Sequence, residues 1–237
     1  GTQELPVWFS SDNGGWGGLR FISAQGVSSL SHTKILGATA TGTESPGFHG
    51  GGVYILKSDA VFSNVEIDGG NATNALSRGG GVYITGATAD VTFTNSQISN
   101  NTSVDNGGGV YISAARVTFT RCKLYGNRST AGYGGALHAT SGAIVTMTNC
   151  TITKNTDAFA SGGIFAQINA AVDMKNSIVW GNNSGGVAST GSTVTVNYSD
   201  VQGGVWPDGT GNISEDPLFE SPEHNMFDLT LGSPAID

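Results

Sequence analysis

Three basic side chains are the candidates for catalysis in this sequence. Lys123, Arg128 and Lys154 are expected to lie close together after one strand. A polysaccharide lyase or epimerase needs a basic residue of this kind, with a cation or an acid that neutralises the uronate carboxylate. Lysine and arginine on an exposed strand are more often solvated than catalytic. We therefore assign no catalytic residue and keep these three as the alternative set.

The carboxylates do not form the pairs that glycoside hydrolysis requires. A hydrolase places two carboxylates across one glycosidic bond, which in a stack of coils means acids at matching positions of neighbouring coils. Glu66 is expected to align with Gln97, Lys123 and Thr151, so the acid does not repeat. The Gly-Gly-x-Gly-x-Asp calcium repeat is also absent. Neither a metal site nor a cofactor is expected.

A column of large apolar side chains is the candidate for ligand binding. Tyr54, Tyr83 and Tyr111 recur at the same position of a repeat, and Leu137 and Phe165 continue the column. The apolar residues on either side of each must face inward, so these side chains face outward. Exposed stacked aromatic rings suit sugar rings or a partner surface. Alternatively, a loop or the C-terminal segment covers the rings, which then serve only as cross-strand pairs. We predict Tyr54, Tyr83, Tyr111 and Phe165 as ligand-binding residues.

The elements that position these side chains are the coils of the repeat. The string Gly-Gly-Gly-Val-Tyr-Ile occurs at residues 50–55, 79–84 and 107–112. Taking the residue after each glycine pair and including looser copies, the repeat falls at Leu19, Val53, Val82, Val110, Ala136, Ile164 and Val187. A period of 20–50 residues predicts a solenoid or a similar array.

Each copy is followed by a second segment in which apolar and polar residues alternate, such as 91–95 and 117–121. Alternation with a period of two predicts a strand with one buried face. Another apolar residue follows at a fixed offset and marks a third strand. We predict an all-β solenoid of about seven coils, with three short parallel strands per coil and almost no helix.

Two columns of polar residues are expected to stabilise the corners. Asn101, Asn127, Asn155 and Asn182 recur at one offset and predict a ladder of side-chain amides. Asn accepts the left-handed backbone region and bonds the backbone at turns. The second corner column consists of His32, Asn64, Asn95, Arg121, Asn149, Asn176 and Tyr198.

Cys122 and Cys150 occupy the same register in adjacent coils. Parallel neighbours in register point the same way, and stacked inward cysteines are usually reduced core residues. We therefore expect two free thiols rather than a disulfide.

Composition excludes some classes of function. A net charge of −8 argues against nucleic-acid binding, which needs a basic face. No apolar run reaches the ~18 residues of a membrane span. Only 12% of the residues are charged, against ~25% in an ordinary domain. This polar composition, low in Lys and Glu, favours an extracellular or cell-surface location.

The repeat decays toward the C-terminus. Residues 1–205 are predicted to form the coils, and 206–237 an irregular capping segment of the same domain. Pro217, Pro222 and Pro234 interrupt any strand there, and solenoids need atypical ends that hide the exposed core. Both ends of the sequence look cut, which predicts a fragment of a larger protein.

The paired glycine stretches, together with elements such as Ile98-x-x-Asn101, resemble the parallel β-helix repeats of bacterial secreted proteins. They look like the passengers of polymorphic outer-membrane proteins (Pmp), whose repeats pair a GGA-type motif with a motif ending in Asn. The tail, with Gly232-Ser233-Pro234, is similar to the ends of surface-anchored β-helix proteins. The resemblance covers about residues 16–237 and implies a right-handed parallel β-helix, the pectin-lyase-like fold. That fold carries lyases, hydrolases, epimerases, adhesins and phage tailspikes alike, so it does not specify an activity.

A threonine array occupies the outward face of three consecutive coils. Its members are Thr92, Thr94, Thr118, Thr120, Thr146 and Thr148. Arrays of this kind occur in β-helical antifreeze proteins. Threonine also suits any exposed strand, and the array ends at Asp173 and Lys175.

The function expected from the sequence is a non-catalytic, adhesin-like or structural segment of a secreted or cell-surface protein. Its expected partner is a polysaccharide or a host or cell surface. The alternative is a polysaccharide-active enzyme, with a lyase or epimerase ahead of a hydrolase.

Overall fold

The computed structural model describes residues 1–11, 15–45, 47–159, 161–204 and 209–236, in which the chain winds as a parallel β-solenoid. In chain order its strands are β1 (Val7–Phe9), β2 (Leu19–Ile22), β3 (Val27–Leu36), β4 (Thr39–Ala40), β5 (Val53–Leu56), β6 (Asp59–Asp68), β7 (Asn71–Ala72), β8 (Val82–Thr85), β9 (Asp90–Thr94), β10 (Gln97–Ser99), β11 (Thr102–Ser103), β12 (Val110–Ser113), β13 (Arg116–Thr120), β14 (Lys123–Tyr125), β15 (Arg128–Ser129), β16 (Leu137–Thr140), β17 (Ile144–Thr148), β18 (Thr151–Thr153), β19 (Ile164–Gln167), β20 (Ala171–Lys175), β21 (Ile178–Trp180), β22 (Val187–Thr190), β23 (Thr193–Asn197), β24 (Asp200–Val201), β25 (Phe219–Ser221) and β26 (Met226–Leu229). A short 3-10 helix, Pro222–His224, lies between β25 and β26.

The strands form three parallel sheets along the solenoid. The first sheet is the repeated glycine stretch, in the order β2-β5-β8-β12-β16-β19-β22. The second sheet has 13 strands and bends at one corner of the solenoid. The long strands β3 and β6 continue through this corner, whereas each later coil has two separate strands, one on either side of it. The third is the four-stranded sheet β15-β11-β7-β4. The predicted all-β solenoid of about seven coils is confirmed, but the middle coils have a fourth, two-residue strand that the sequence analysis did not predict.

The register corrects one position of the repeat. Leu137, not Ala136, pairs with Val110 and Ile164. This copy contains Gly134 and Gly135 followed by alanine, and Ala136 takes the place of the third glycine of the other copies. His138 therefore occupies the outward position that was assigned to Leu137.

Alternation along the strands builds the core. The rings of Phe62, Phe93 and Phe119 stack inside the solenoid, with centroids 4.6 and 5.1 Å apart. Met147 and Met174 continue this column in register. All five side chains are fully buried, whereas the threonines between them on the same strands face outward and are half-buried.

The corner of the second sheet is made by one left-handed residue per coil, as predicted. These residues have φ between 46° and 55° and are His32, Asn64, Asn95, Arg121, Asn149, Asn176 and Tyr198. A single left-handed residue turns the strand direction, and Asn tolerates that conformation better than most side chains.

The predicted asparagine ladder is present and buried. Nδ2 of Asn101 donates to Oδ1 of Asn127, Asn127 donates in the same way to Asn155, and Asn155 to Asn182, each at 2.9 Å. The same oxygens accept backbone N–H groups of the preceding coil, for example Asn101 N to Asn127 Oδ1 at 3.1 Å. The ladder satisfies backbone groups that would otherwise be buried without partners.

Glycine is required where each coil enters the first sheet. Gly79 has a φ of +65°. A Cβ on Gly80 would collide with the backbones of Thr102 and Gly108 in the adjacent coil. The repeated glycine stretch therefore reflects both positive φ and close approach of neighbouring turns.

Cys122 and Cys150 are buried and free, as expected. Their thiols donate to the carbonyl oxygens of Phe93 and Phe119. The hydrogen bond with Cys122 and burial together raise the pKa of the Cys150 thiol. The same hydrogen bond lowers the pKa of the Cys122 thiol, and both residues are buried core groups.

The C-terminal segment closes the last coil and then turns back along the side of the solenoid. Tyr198 N donates to Thr210 O at 2.7 Å, and Val201 N donates to Ile213 O at 3.0 Å. Residues 214–236, here called the C-terminal arm, include the antiparallel pair β25–β26. The boundary predicted at residues 205 and 206 lies outside the described residues. The described ranges contain no helix with the length and apolarity needed to cross a membrane.

Candidate functional site

The predicted tyrosine column exists as a continuous stack of rings on the outer face of the first sheet. Consecutive ring centroids are 5.1 Å apart for Tyr54–Tyr83, 5.1 Å for Tyr83–Tyr111, 5.3 Å for Tyr111–His138 and 5.4 Å for His138–Phe165. The three tyrosine rings are almost parallel, with interplanar angles of 2° and 11°. One ring per coil follows from the in-register pairing of the strands.

The expectation that these rings are exposed is wrong. Tyr54, Tyr83, Tyr111 and Phe165 are only 3%, 9%, 5% and 6% exposed. His49 stacks on Tyr83 at 4.3 Å. The loops between the coils therefore cover the outer face, as in the alternative stated above. Ligand binding by these four residues stays a prediction, and it requires the covering side chains to move away.

Tyr133 covers the far end of the column. Its ring stacks on Phe165 at 4.6 Å and contacts Phe159 at 5.1 Å. Phe159 is 60% exposed and forms the outer edge of this aromatic layer. The covering rings come from loops that vary in sequence between coils, so the repeat did not reveal them.

A charged pair lies beside the stacked rings. Nε of Arg78 donates to Asp105 Oδ2 at 2.7 Å, and Nη1 donates to the Tyr111 hydroxyl at 3.3 Å. Its guanidinium also stands 5.2 Å from the centre of the Tyr111 ring. Burial alone would lower the pKa of Arg78, but the bond with Asp105 and the charge of that carboxylate raise it above its ordinary value. Arg78 is held as a permanent cation in a structural contact.

The two histidines of this face are held neutral. Burial lowers the pKa of His49 to about 4, with a further effect of Arg78. Burial likewise lowers the pKa of His138 to about 4, Arg78 acts in the same direction, and the backbone of Tyr133 opposes it. His138 is completely buried, and its Nε2 bonds the side-chain amide of Gln167 at 3.1 Å. A neutral imidazole fits the ring stack without placing a charge in it.

Two of the three candidate basic residues contact the C-terminal arm. Lys123 forms an ion pair with Asp228 at 3.6 Å. Lys154 donates to Pro222 O and, at 3.0 Å, to Asn225 Oδ1. Its ammonium also stands 5.7 Å from the centre of the Phe227 ring. Both lysines therefore have a role in docking the arm.

The third basic residue lies on a different sheet. Arg128 is in β15, pairs with Thr102, and is exposed. The catalytic role of Lys123, Arg128 and Lys154 stays a prediction. Within the described ranges no group of three or more His, Cys, Asp or Glu side chains is arranged to hold a metal ion.

A polar cleft that the repeat does not reveal lies between the last coils and the C-terminal arm. Its volume is about 470 Å³, and its lining includes Asn149, Asn176, Tyr198, Asp200, Phe227 and Asp228. Asp200 lies in β24 and pairs with Ile178 in β21. It therefore takes an outward position of the sheet. The repeat alignment could have placed Asp200 outward, but no pattern in the sequence indicates that the arm folds over it.

Asp200 is the perturbed acid of this cleft. Burial raises its pKa to about 6, and the charges of Glu215 and Asp216 act in the same direction, while the hydrogen bond from Glu215 N opposes them. A carboxyl group that titrates near pH 6 can change its charge under ordinary conditions. The cleft therefore joins an acid of raised pKa to amide groups and an aromatic ring.

One comparison with known proteins found a match, and that match agrees with this architecture. No curated protein and no solved structure matched the chain. The model of one family, described as the right handed beta helix region, matches residues 21–201. That range begins in β2 and ends in β24, and so spans most of the described coils of the solenoid. The chain therefore belongs to the right-handed β-helix family.

Proposed function

We propose that this chain is a non-catalytic, adhesin-like or structural rod segment of a secreted or cell-surface protein. The family and the fold support a structural, surface or carbohydrate-related protein. The observation that carries the finer proposal is the engagement of the basic side chains. The lysines that a lyase would need dock the C-terminal arm, and Arg78 is bound to Asp105.

The interior of the solenoid supports a mechanical role. The asparagine ladder connects four successive coils through buried hydrogen bonds. Stacked rings connect coils on the outer face, and stacked phenylalanines connect them inside. In a solenoid each coil rests only on its neighbours, so contacts of this kind determine the stiffness of the rod. An extended stiff rod suits the presentation of a surface at a distance from a cell.

The alternative function is a polysaccharide lyase. It would require Lys123 or Lys154 to leave the arm, and Arg128 to act from another sheet. Uronate-containing and neutral polysaccharides should be incubated with the full chain. Absorbance of unsaturated ends and release of reducing ends are the two readouts, since they separate a lyase from a hydrolase.

The proposal expects no turnover on either class of polysaccharide. Turnover that is lost in Lys123→Ala or Arg128→Ala, but kept in the control Arg116→Ala, would establish the lyase instead. Arg116 is a suitable control because it is an exposed arginine at the start of β13, away from the C-terminal arm.

A further inference from the structure

The cleft under the C-terminal arm has two chemically different sides. One side is the corner of the last coils, with the side chains of Asn149, Asn176 and Tyr198 one coil apart. The other side is the arm, with Phe227 and Asp228. The volume of about 470 Å³ lies within the ~300–1,000 Å³ of ordinary small-molecule sites. The cleft is distinct from the ring column, which lies on the first sheet.

One oxygen of Asp200 lacks a partner. Asp200 is only 2% exposed. Its Oδ1 accepts the backbone N–H of Glu215 at 3.3 Å, whereas Oδ2 has no hydrogen-bond partner among the described residues. A buried carboxylate oxygen without a partner is costly. Asp200 lines the cleft, so a ligand hydroxyl that displaces the lining around this oxygen would supply the missing donor.

The corner residues offer further ligand groups. Asn149 and Asn176 are exposed, and their side-chain amides make no hydrogen bond within the described part of the chain. Tyr198 is 54% exposed, and Lys175 stands 5.6 Å from the centre of its ring. Successive coils are ~4.8 Å apart, so two amides and a ring recur along the cleft at that step.

This set of groups matches a neutral sugar. Amides and a carboxylate exchange hydrogen bonds with hydroxyl groups, and an aromatic ring packs against the apolar face of a pyranose. The charges acting on Asp200 itself are those of Glu215 and Asp216, whereas Asp228 is paired with Lys123 and Lys175 lies against the ring of Tyr198. A uronate beside Asp200 would bring a further carboxylate to these acids, which disfavours it at that end of the cleft.

We propose that the cleft between the last coils and the C-terminal arm binds neutral sugar units of a glycan, with Asp200, Tyr198, Asn149 and Asn176 as contacts. This proposal depends on the proposed non-catalytic function in one respect, namely that the sugar is bound and not cleaved. It differs from the lyase alternative in its ligand, which is neutral, and in its location.

The test is titration of the full chain with neutral disaccharides (cellobiose, maltose, mannobiose and chitobiose) and with digalacturonate. Binding is measured by calorimetry and by saturation transfer from protein to sugar in nuclear magnetic resonance spectra. The expected result is millimolar or tighter binding of at least one neutral sugar, and at least tenfold weaker binding of digalacturonate. Longer oligomers of the sugar that binds then show whether a chain rather than a free sugar is recognised.

Two variants locate the binding. Tyr198→Asn removes the ring and introduces the residue that four other coils have at this corner, so the fold is kept. Asp200→Ala removes the carboxylate and is checked by circular dichroism. Each should weaken sugar binding at least tenfold. Arg121→Asn, at the same corner position but outside the cleft, should leave binding unchanged.

Three results would overturn the proposal: no neutral sugar binds, digalacturonate binds more tightly, or both cleft variants bind as well as the unchanged chain. None of these affects the proposed non-catalytic function. Cleavage of a bound sugar during the titration would instead contradict that function, while loss of binding in the two variants would still support the cleft.

Discussion

Nδ2 of Asn127 donates to Oδ1 of Asn155 across 2.9 Å, and both side chains are completely buried. Asn127 also donates to Ile98 O at 2.9 Å and accepts the backbone N–H of Asn101 at 3.1 Å. A single side chain thus connects three coils of the solenoid. A substitution at Asn127 should therefore disturb contacts between several coils at once.

Asn127→Ala should be destabilising. It removes the acceptor of the buried Asn101 N–H and the bonds that Nδ2 gives to Ile98 O and Asn155 Oδ1, and a buried group left without a partner costs about 1–3 kcal/mol. We expect a loss of about 1–3 kcal/mol in the free energy of unfolding, measured by urea denaturation. The control is Thr118→Ala, an outward side chain of the neighbouring strand β13, which should change the stability little. A loss below ~1 kcal/mol for Asn127→Ala would contradict the role of the ladder.

Tyr83→Ala should reduce stability without affecting sugar binding in the cleft. The ring lies between those of Tyr54 and Tyr111 and under His49. Removal of a buried aromatic ring costs ~3–5 kcal/mol, and Tyr83→Phe, which keeps the stack, should cost much less. Thermal melting and the disaccharide titration are measured on the same samples. Weaker glycan binding in a stable Tyr83→Ala protein would instead support the ring column as a ligand site.

His138 should make the protein less stable in mild acid. Burial lowers its pKa in the folded state to about 4 from the ordinary value of 6.5, so the unfolded chain takes up the proton first as the pH falls. The contribution is present in full above about pH 6.5 and is lost between about pH 6.5 and 4. His138→Phe should reduce this loss, as measured by thermal melts at a series of pH values. His224→Phe, at an exposed histidine side chain, is the control and should keep the pH dependence of the unchanged chain.

Asp200 should make the protein less stable as the pH rises, which is opposite to the effect of His138. Its pKa is raised from 3.8 to about 6 in the folded state, so the fold favours the protonated form. The stability that it contributes is complete below about pH 3.8 and is lost as the pH rises through about 6. Asp200→Asn, which keeps the acceptor for Glu215 N, should therefore melt at a higher temperature than the unchanged chain at pH 7–8. Asp173→Asn, at an exposed outward position of β20, should not. An unchanged melting temperature at pH 8 would show that Asp200 is solvated in solution.

The repeat made the coils predictable from the sequence. In a parallel solenoid, residues one period apart become neighbours, so recurrence at a fixed offset identifies the contacts themselves. For this reason the asparagine ladder, the left-handed corner column and the register of the two cysteines were all predicted correctly. The one slip in register, at Leu137 and His138, occurred where a copy has two glycines and an alanine in place of three glycines.

The surroundings of the outer face were decided only by the tertiary structure. The period places Tyr83 outward, but exposure depends on the loop that carries His49, and loops do not repeat. The same limit applies to the C-terminal arm, since its contacts with Lys123 and Lys154 join residues far apart in sequence that no period relates. Asp200 acquires its burial and its raised pKa from that arm. The sequence by itself therefore determined the solenoid and its internal ladders, because those contacts are periodic, whereas the cleft and the covering of the rings depend on non-periodic contacts that only folding brings together.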